Sequence, residues 1–191
     1  MDTNSHIEEA ATAAAALINA ATPGVRRARP YVPPEGQALA DAVNAALLLG
    51  DKRHTPVDEA GAVRLAAYAV RLRAVYDHLG ADDVDAAAQA LNDLLEELAP
   101  RPYLSKEGDA PWHLRYRARD GGYPEAVASA LALALASYLG SDRRHRLGLC
   151  SAPGCDRVYT DTTRSATRRY CRITCQNRVK AAAHRARAQA T

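Results

Sequence analysis

Cys150, Cys155, Cys171 and Cys175 are the residues whose type and spacing most directly imply chemistry. They form the pattern C-x4-C-x15-C-x3-C, a spacing that reads as structural zinc. Four thiolates must converge tetrahedrally about 2.3 Å from one ion. The short intervals keep each pair together, and the hairpin-length interval lets the pairs face each other. Disulfides would need an oxidising compartment, and no export signal is present: the Ala-rich stretch Ala10 to Ala21 follows Glu8 and Glu9. The spacing does not match iron–sulfur patterns. Four cysteines also close the zinc shell, whereas catalytic zinc keeps a position open. The expectation is one structural Zn(2+) per chain.

The residues around the ligands must position them. Pro153 and Gly154 allow a tight turn, so Cys150 and Cys155 can form a metal knuckle. Val158 and Tyr159 start one short strand, Asp161 to Ser165 offer a polar turn, and Tyr170 closes the return strand. A helix is expected from Arg172. Cys171 and Cys175 are i and i+4, so they share one face of its first turn, where the helix N-terminus favours thiolate charge. Knuckle, hairpin and helix together predict a treble-clef-like finger.

Beyond the last ligand, Val179, Ala182, Ala183, Ala186 and Ala190 fall on one side of the helix. This seam is expected to pack on the hairpin or on the preceding helices. Arg178 and Arg185 flank it on one side; Lys180, His184 and Arg187 flank it on the other. With Arg168, Arg169 and Arg172, the cations Arg178, Lys180, Arg185 and Arg187 are the candidate DNA contacts, acting through phosphates and counterion release. A helix suits a groove in duplex DNA better than it suits unstacked RNA bases. Tyr159 and Tyr170 are expected in the finger's own small core.

The chain has 191 residues, 48% apolar and 25% charged, an ordinary globular balance. The net charge of +3 hides an asymmetry. Residues 141–191 hold 12 Lys+Arg and 3 Asp+Glu, whereas residues 1–140 hold 13 and 19. The step predicts two units, an acidic helical one over 1–140 and a basic finger over 141–191. No apolar run is long enough for a membrane span, so a soluble cytoplasmic protein is expected, at the nucleoid when bound to DNA.

The first unit reads as mainly α, with one small β-hairpin. Ile7 to Ala21 is a helix, and the Pro- and Gly-rich stretch Thr22 to Gly36 is a loop in which Arg26, Arg27 and Arg29 are solvated charge. Leu39, Val43 and Leu47 mark a second helix, which Gly50 can end. A third runs from about Val57 to Leu79, with Val63, Ala66, Ala67, Val70 and Ala74 on its core face. A fourth is capped by Asp82 or Asp83 and carries the stripe Val84, Ala87, Ala88, Leu91, Leu94, Leu95 and Leu98. Trp112, Leu114 and Tyr116 alternate as in a half-buried strand, paired with Tyr103 and Leu104 across the turn Lys106 to Pro111. The helix from Pro124 to Leu139 is apolar nearly all round and should be the most buried element.

No phosphate loop, nucleophile elbow or paired-His motif is present, and His54, His78 and His113 stand isolated. Treble-clef nucleases need a His on the hairpin, and Asp156 to Tyr170 contains none. The expectation is therefore no enzyme. A DNA-binding regulator comes first, and a zinc-stabilised protein-interaction module whose basic surface meets an acidic protein comes second.

The segments Leu149–Cys150, Pro153–Gly154–Cys155, Val158–Tyr159–Thr160–Asp161, Arg168–Arg169–Tyr170–Cys171 and Cys175–Gln176–Asn177–Arg178–Val179–Lys180 together resemble the CGNR zinc finger. Gln176 replaces the Gly of that signature, and Tyr170 stands where Trp is usual. The likeness covers Arg146 to Arg187. Upstream, Leu17–Ile18–Asn19–Ala20, and Ala90–Leu91–Asn92 with Leu94–Leu95, are similar to the Asn-containing segments of the helical ABATE domain that precedes such fingers. The resemblance implies a bacterial, stress-linked transcription regulator. Its first domain would bind a small-molecule effector, form a homodimer or bind another protein.

Overall fold

With no Phe and one Trp, the chain must fill its interior with Ala, Leu and Val, and these small side chains let helices pack closely. The computed structural model describes residues 3–49, 54–106, 108, 112–118 and 121–189. It is mainly α, as expected. In order come α1 (Thr3–Ala21), β1 (Gly24–Arg26), β2 (Arg29–Tyr31), α2 (Gly36–Leu47), α3 (Glu59–Gly80), α4 (Val84–Leu98), β3 (Arg101–Ser105), β4 (His113–Arg117) and α5 (Tyr123–Leu139). A 3-10 turn (Asp142–Arg146), β5 (Leu147–Leu149), β6 (Val158–Thr160) and α6 (Ile173–Gln189) complete the chain.

The helices start where short polar side chains can satisfy free N–H groups. Asp58 accepts from Gly61 N at 2.8 Å to start α3, and Asp83 accepts from Ala86 N at 3.0 Å to start α4. Pro100 follows the left-handed Ala99, at which α4 ends. Helix α5 touches α1, α3 and α4 and buries Ala128, Leu131, Ala132, Leu135 and Tyr138, as its all-round apolar pattern predicts. His54 is spent structurally: its Nδ1 meets Tyr123 Oη at 2.8 Å and its Nε2 meets Asn44 Oδ1 at 3.0 Å.

Two apolar faces differ from expectation. Helix α3 buries Ala62, Leu65, Ala69, Leu72, Val75 and Tyr76, while Val63 and Val70 are 59% and 55% exposed. Both faces of α3 repeat at helical spacing, and the bulkier Leu and Tyr stripe takes the core. The β3–β4 ribbon forms as expected, with Leu104 opposite Leu114, but both are exposed, as is Trp112. A two-stranded ribbon has no second layer to cover its outer face. Gly50 and most of the expected turn Lys106 to Pro111 lie outside the described residues.

The stretch Thr22 to Gly36 is not simply a loop. It contains the β1–β2 hairpin, with Gly24 opposite Tyr31 and Arg26 opposite Arg29. This hairpin lies against the finger, and the core continues across residue 140: Leu147 and Val158 belong to the same buried cluster as the helices.

The end of α1 makes the join. The Asn19 side chain accepts from Val158 N at 2.9 Å and donates to Val158 O at 2.8 Å, acting as a neighbouring strand for β6. Arg157 is 1% exposed and donates to Thr22 O at 2.9 Å and Pro23 O at 2.8 Å. It thus supplies donors and positive charge where the helix carbonyls run out. The Thr160 hydroxyl donates to Ala11 O at 2.9 Å and meets Tyr76 Oη at 3.1 Å.

Replacing Asn19 with Ala leaves the buried Val158 N–H and C=O without these partners, at about 1–3 kcal/mol for each group. Thermal unfolding of the full zinc-loaded chain should show a Tm lower by on the order of 10 °C, with the zinc content unchanged.

Candidate metal centre

The knuckle sits at the tip of a hairpin whose arms flank it. Strand β5 pairs with β6, Leu147 opposite Thr160 and Leu149 opposite Val158, so the first arm precedes Cys150. The expected pairing of Val158 with a return strand at Tyr170 does not form. Instead Asp161 gathers the following loop: its carboxylate accepts from Thr163 N at 2.8 Å, Thr163 Oγ1 at 2.6 Å and Arg168 N at 2.7 Å. Burial works against ionisation of Asp161, but these donors and the Arg146 charge outweigh it and hold the carboxyl below its ordinary range. Helix α6 begins at Ile173, one residue later than expected, so Cys171 stands just before it and Cys175 lies in its first turn.

The four sulfurs fit zinc geometrically. Cys155–Cys171, Cys171–Cys175 and Cys175–Cys155 are each separated by 3.8 Å. A tetrahedron with vertices about 2.3 Å from its centre has edges of about 3.8 Å. A disulfide would bring two sulfurs to about 2.05 Å, and all four thiols are free. The four ligand atoms lie within 4.8 Å of one another, and every cysteine is buried. These residues hold one structural zinc ion.

Burial, then the neighbouring thiols, push Cys171 up, and burial also raises Cys175. Cys155 departs from this trend. Burial raises it too, but N–H donors from the Arg27 and Arg157 backbone outweigh that and leave it lowered. A dication removes the shared penalty by taking the thiols as thiolates.

The Arg27 donor comes from the β1–β2 turn, far away in sequence. Arg27 and Ala28 both have positive φ, 55° and 63°, which a two-residue type I′ hairpin requires. Neither is Gly or Asn, so the turn costs roughly 1–2 kcal/mol per residue. Its docking offsets that cost: Ala28 N donates to Gly154 O at 2.6 Å, Asp156 N to Val25 O at 3.1 Å, and Val25 N to Asp156 Oδ2 at 2.9 Å. Gly154, at φ +65°, is what permits this approach. A Cβ there would lie 3.0 Å from both Cα and Cβ of Ala28.

The expected DNA-contact residues divide in two. Arg168 is committed inward, donating to Tyr170 O at 2.9 Å, Thr160 O at 3.2 Å and Cys171 O. Arg178 donates to Pro153 O at 2.6 Å and ties α6 to the knuckle. Both brace the finger. Arg169, Arg172, Lys180, Arg185 and Arg187 are exposed. The seam expected to pack inward does so only at Val179, which lies against the cysteine cluster. Ala182, Ala183 and Ala186 are exposed, and Ala190 lies outside the described residues.

Sequence reading missed Asn19, Arg157 and the β1–β2 turn as supports of this centre. Asp161 followed by Thr163 was a legible turn signal. No local signal marks Arg157, because its partners are carbonyls at the end of α1.

A buried, four-cysteine tetrahedral centre linking a hairpin to a helix defines a structural zinc finger. Residues 146–188 match the model of the CGNR zinc finger family. No curated protein matches the chain.

Changing Cys171 to Ser should abolish zinc retention, measured by elemental analysis at below 0.2 zinc per chain against one for the unaltered protein, a threshold of roughly background occupancy. Gly154→Ala should keep one zinc but lower stability by about 1–3 kcal/mol, read by chemical denaturation, because it adds a positive-φ penalty and pushes the hairpin away.

Proposed function

We infer that the protein is a DNA-binding regulator in which the zinc centre aims α6 at the phosphate backbone of a duplex. The observation that carries this reading is the state of α6 beyond Cys175. Residues 180–189 are exposed throughout, hold Lys180, Arg185 and Arg187, and contain no acidic residue. The helix is anchored at its N-terminal end by Cys175, Val179 and Arg178. Small Ala side chains between the cations allow close approach to a groove. Charge complementarity favours a polyanion, and a rigid metal site limits the entropy lost on binding.

The N-terminal helices, which resemble the ABATE domain at Asn19 and Asn92, are proposed as the regulatory half. The exposed Val63 and Val70 on one face of α3 support self-association as their role over effector binding. Location at the nucleoid follows from the DNA reading. For the described residues, no helix is long and apolar enough to cross a membrane.

Binding of the zinc-loaded protein to random-sequence duplex DNA, followed against salt, tests the reading. Arg185→Ala with Arg187→Ala should weaken binding and flatten the log–log salt slope by about 0.9 for each phosphate contact removed, while zinc stays bound. An unchanged slope, or displacement by an acidic polypeptide but not by DNA, would favour the interaction-module alternative.

A further inference from the structure

The arginines of the β1–β2 hairpin stand beside the finger, although more than a hundred positions separate them from it in sequence. Arg26, Arg27, Arg172 and Thr174 line one cleft, with Cys171 and Cys175 at its wall. An adjoining cleft is lined by Arg26, Arg27, Arg29 and Tyr31. The two clefts meet along Arg26 and Arg27, so the basic surface passes from the N-terminal hairpin to the start of α6 without a break.

The cations on this surface have different duties. Arg26 is occupied: it donates to Asn19 O at 2.7 Å and stacks 4.0 Å from the Tyr31 ring centroid. Arg27, Arg29 and Arg172 are exposed, and among the described residues no carboxylate pairs with them. The nearest acid in the hairpin's contact with the finger, Asp156, is already engaged by Arg157 and by Val25 N–H. Two basic residues therefore project from a turn whose backbone is fixed on the zinc knuckle. The turn's support of Cys155 uses only the Arg27 main chain. Gly would serve that purpose without the steric penalty of a positive φ, and the arginine side chain has no role within the described contacts.

We propose that Arg27 and Arg29 of the β1–β2 hairpin, with Arg172 before α6, form a second phosphate-binding ledge that holds the DNA backbone beside the helix. The inference rests on the DNA reading given above and extends it to a segment outside the zinc finger. The two elements would grip one duplex from a single rigid base, because hairpin and helix both hang on the four-cysteine centre. Balancing the negative charge of a four-thiolate zinc centre is the competing duty for these cations. Arg29 speaks against it, since its cleft is lined by no cysteine.

The test uses the full zinc-loaded chain, random-sequence duplex DNA, and zinc content measured on the same samples. Arg27→Gly keeps the turn's backbone and its N–H while removing the charge; Arg29→Gln removes the second. The double variant should keep one zinc per chain and flatten the log–log salt slope by about 1.8, two contacts' worth. Arg27→Lys with Arg29→Lys should restore most of the slope. An unchanged slope in the Gly/Gln variant, while Arg185→Ala with Arg187→Ala still flattens it, overturns the ledge and leaves the DNA reading standing. Loss of zinc together with binding also overturns it, because the charges then serve the metal. Flattening by the hairpin variant alone supports the ledge and removes α6 from the contact. No salt-dependent duplex binding by the unaltered protein overturns both.

Discussion

Four buried sulfurs within 4.8 Å of one another cannot all carry charge without a cation between them, and that constraint organises the C-terminal part of the chain. Two ligands come from a turn at the tip of a short hairpin and two from the start of a helix. One zinc ion therefore sets the angle at which α6 leaves the protein. The finger has few large apolar residues of its own. Its small buried cluster is the four cysteines with Ala152 and Tyr159, and a metal supplies what such a core cannot.

The finger is nevertheless not a separate bead. Helix α1 ends in carbonyls that need donors, and Arg157 provides them from the position just before β6. Asn19 closes the same contact from the other direction by pairing with Val158. The β1–β2 turn then reaches the metal shell itself and offers the Arg27 N–H to Cys155. These contacts link the end of α1 to the residues that carry the zinc ligands.

Within the basic segment, charge has two uses that sequence alone does not separate. Arg157, Arg168 and Arg178 direct their guanidinium groups at backbone carbonyls; in Arg157 and Arg168 the fixed donors satisfy several acceptors at once, whereas Arg178 meets Pro153 O. Their loss would damage the fold. Arg169, Arg172, Lys180, Arg185 and Arg187 remain exposed. The distinction follows from where a carbonyl happens to lack a donor, which depends on chain trajectory.

Local signals in the sequence sufficed for much of this. The zinc ligands were legible because their spacing is itself the geometric requirement, and the helices because a periodic apolar stripe, a capping Asp and a terminating Pro act within a few residues. The buried character of α5 was legible because its apolar pattern leaves it no polar face. Tertiary structure decided the rest. Helix α3 offered two apolar faces of similar spacing, and only packing chose Leu65, Leu72 and Tyr76 over Val63 and Val70. The partner of β6 was chosen by Asp161, which ties up the segment after it and leaves Leu147 to Leu149 to pair. The hairpin at Gly24 to Tyr31 looked like an irregular loop because its turn residues, Arg27 and Ala28, are poor at positive φ; only docking on Gly154 and Cys155 makes that conformation worthwhile. Contacts between residues more than a hundred positions apart, such as Asn19 with Val158, leave no local trace, because each partner alone is an ordinary polar residue in an ordinary helix or strand.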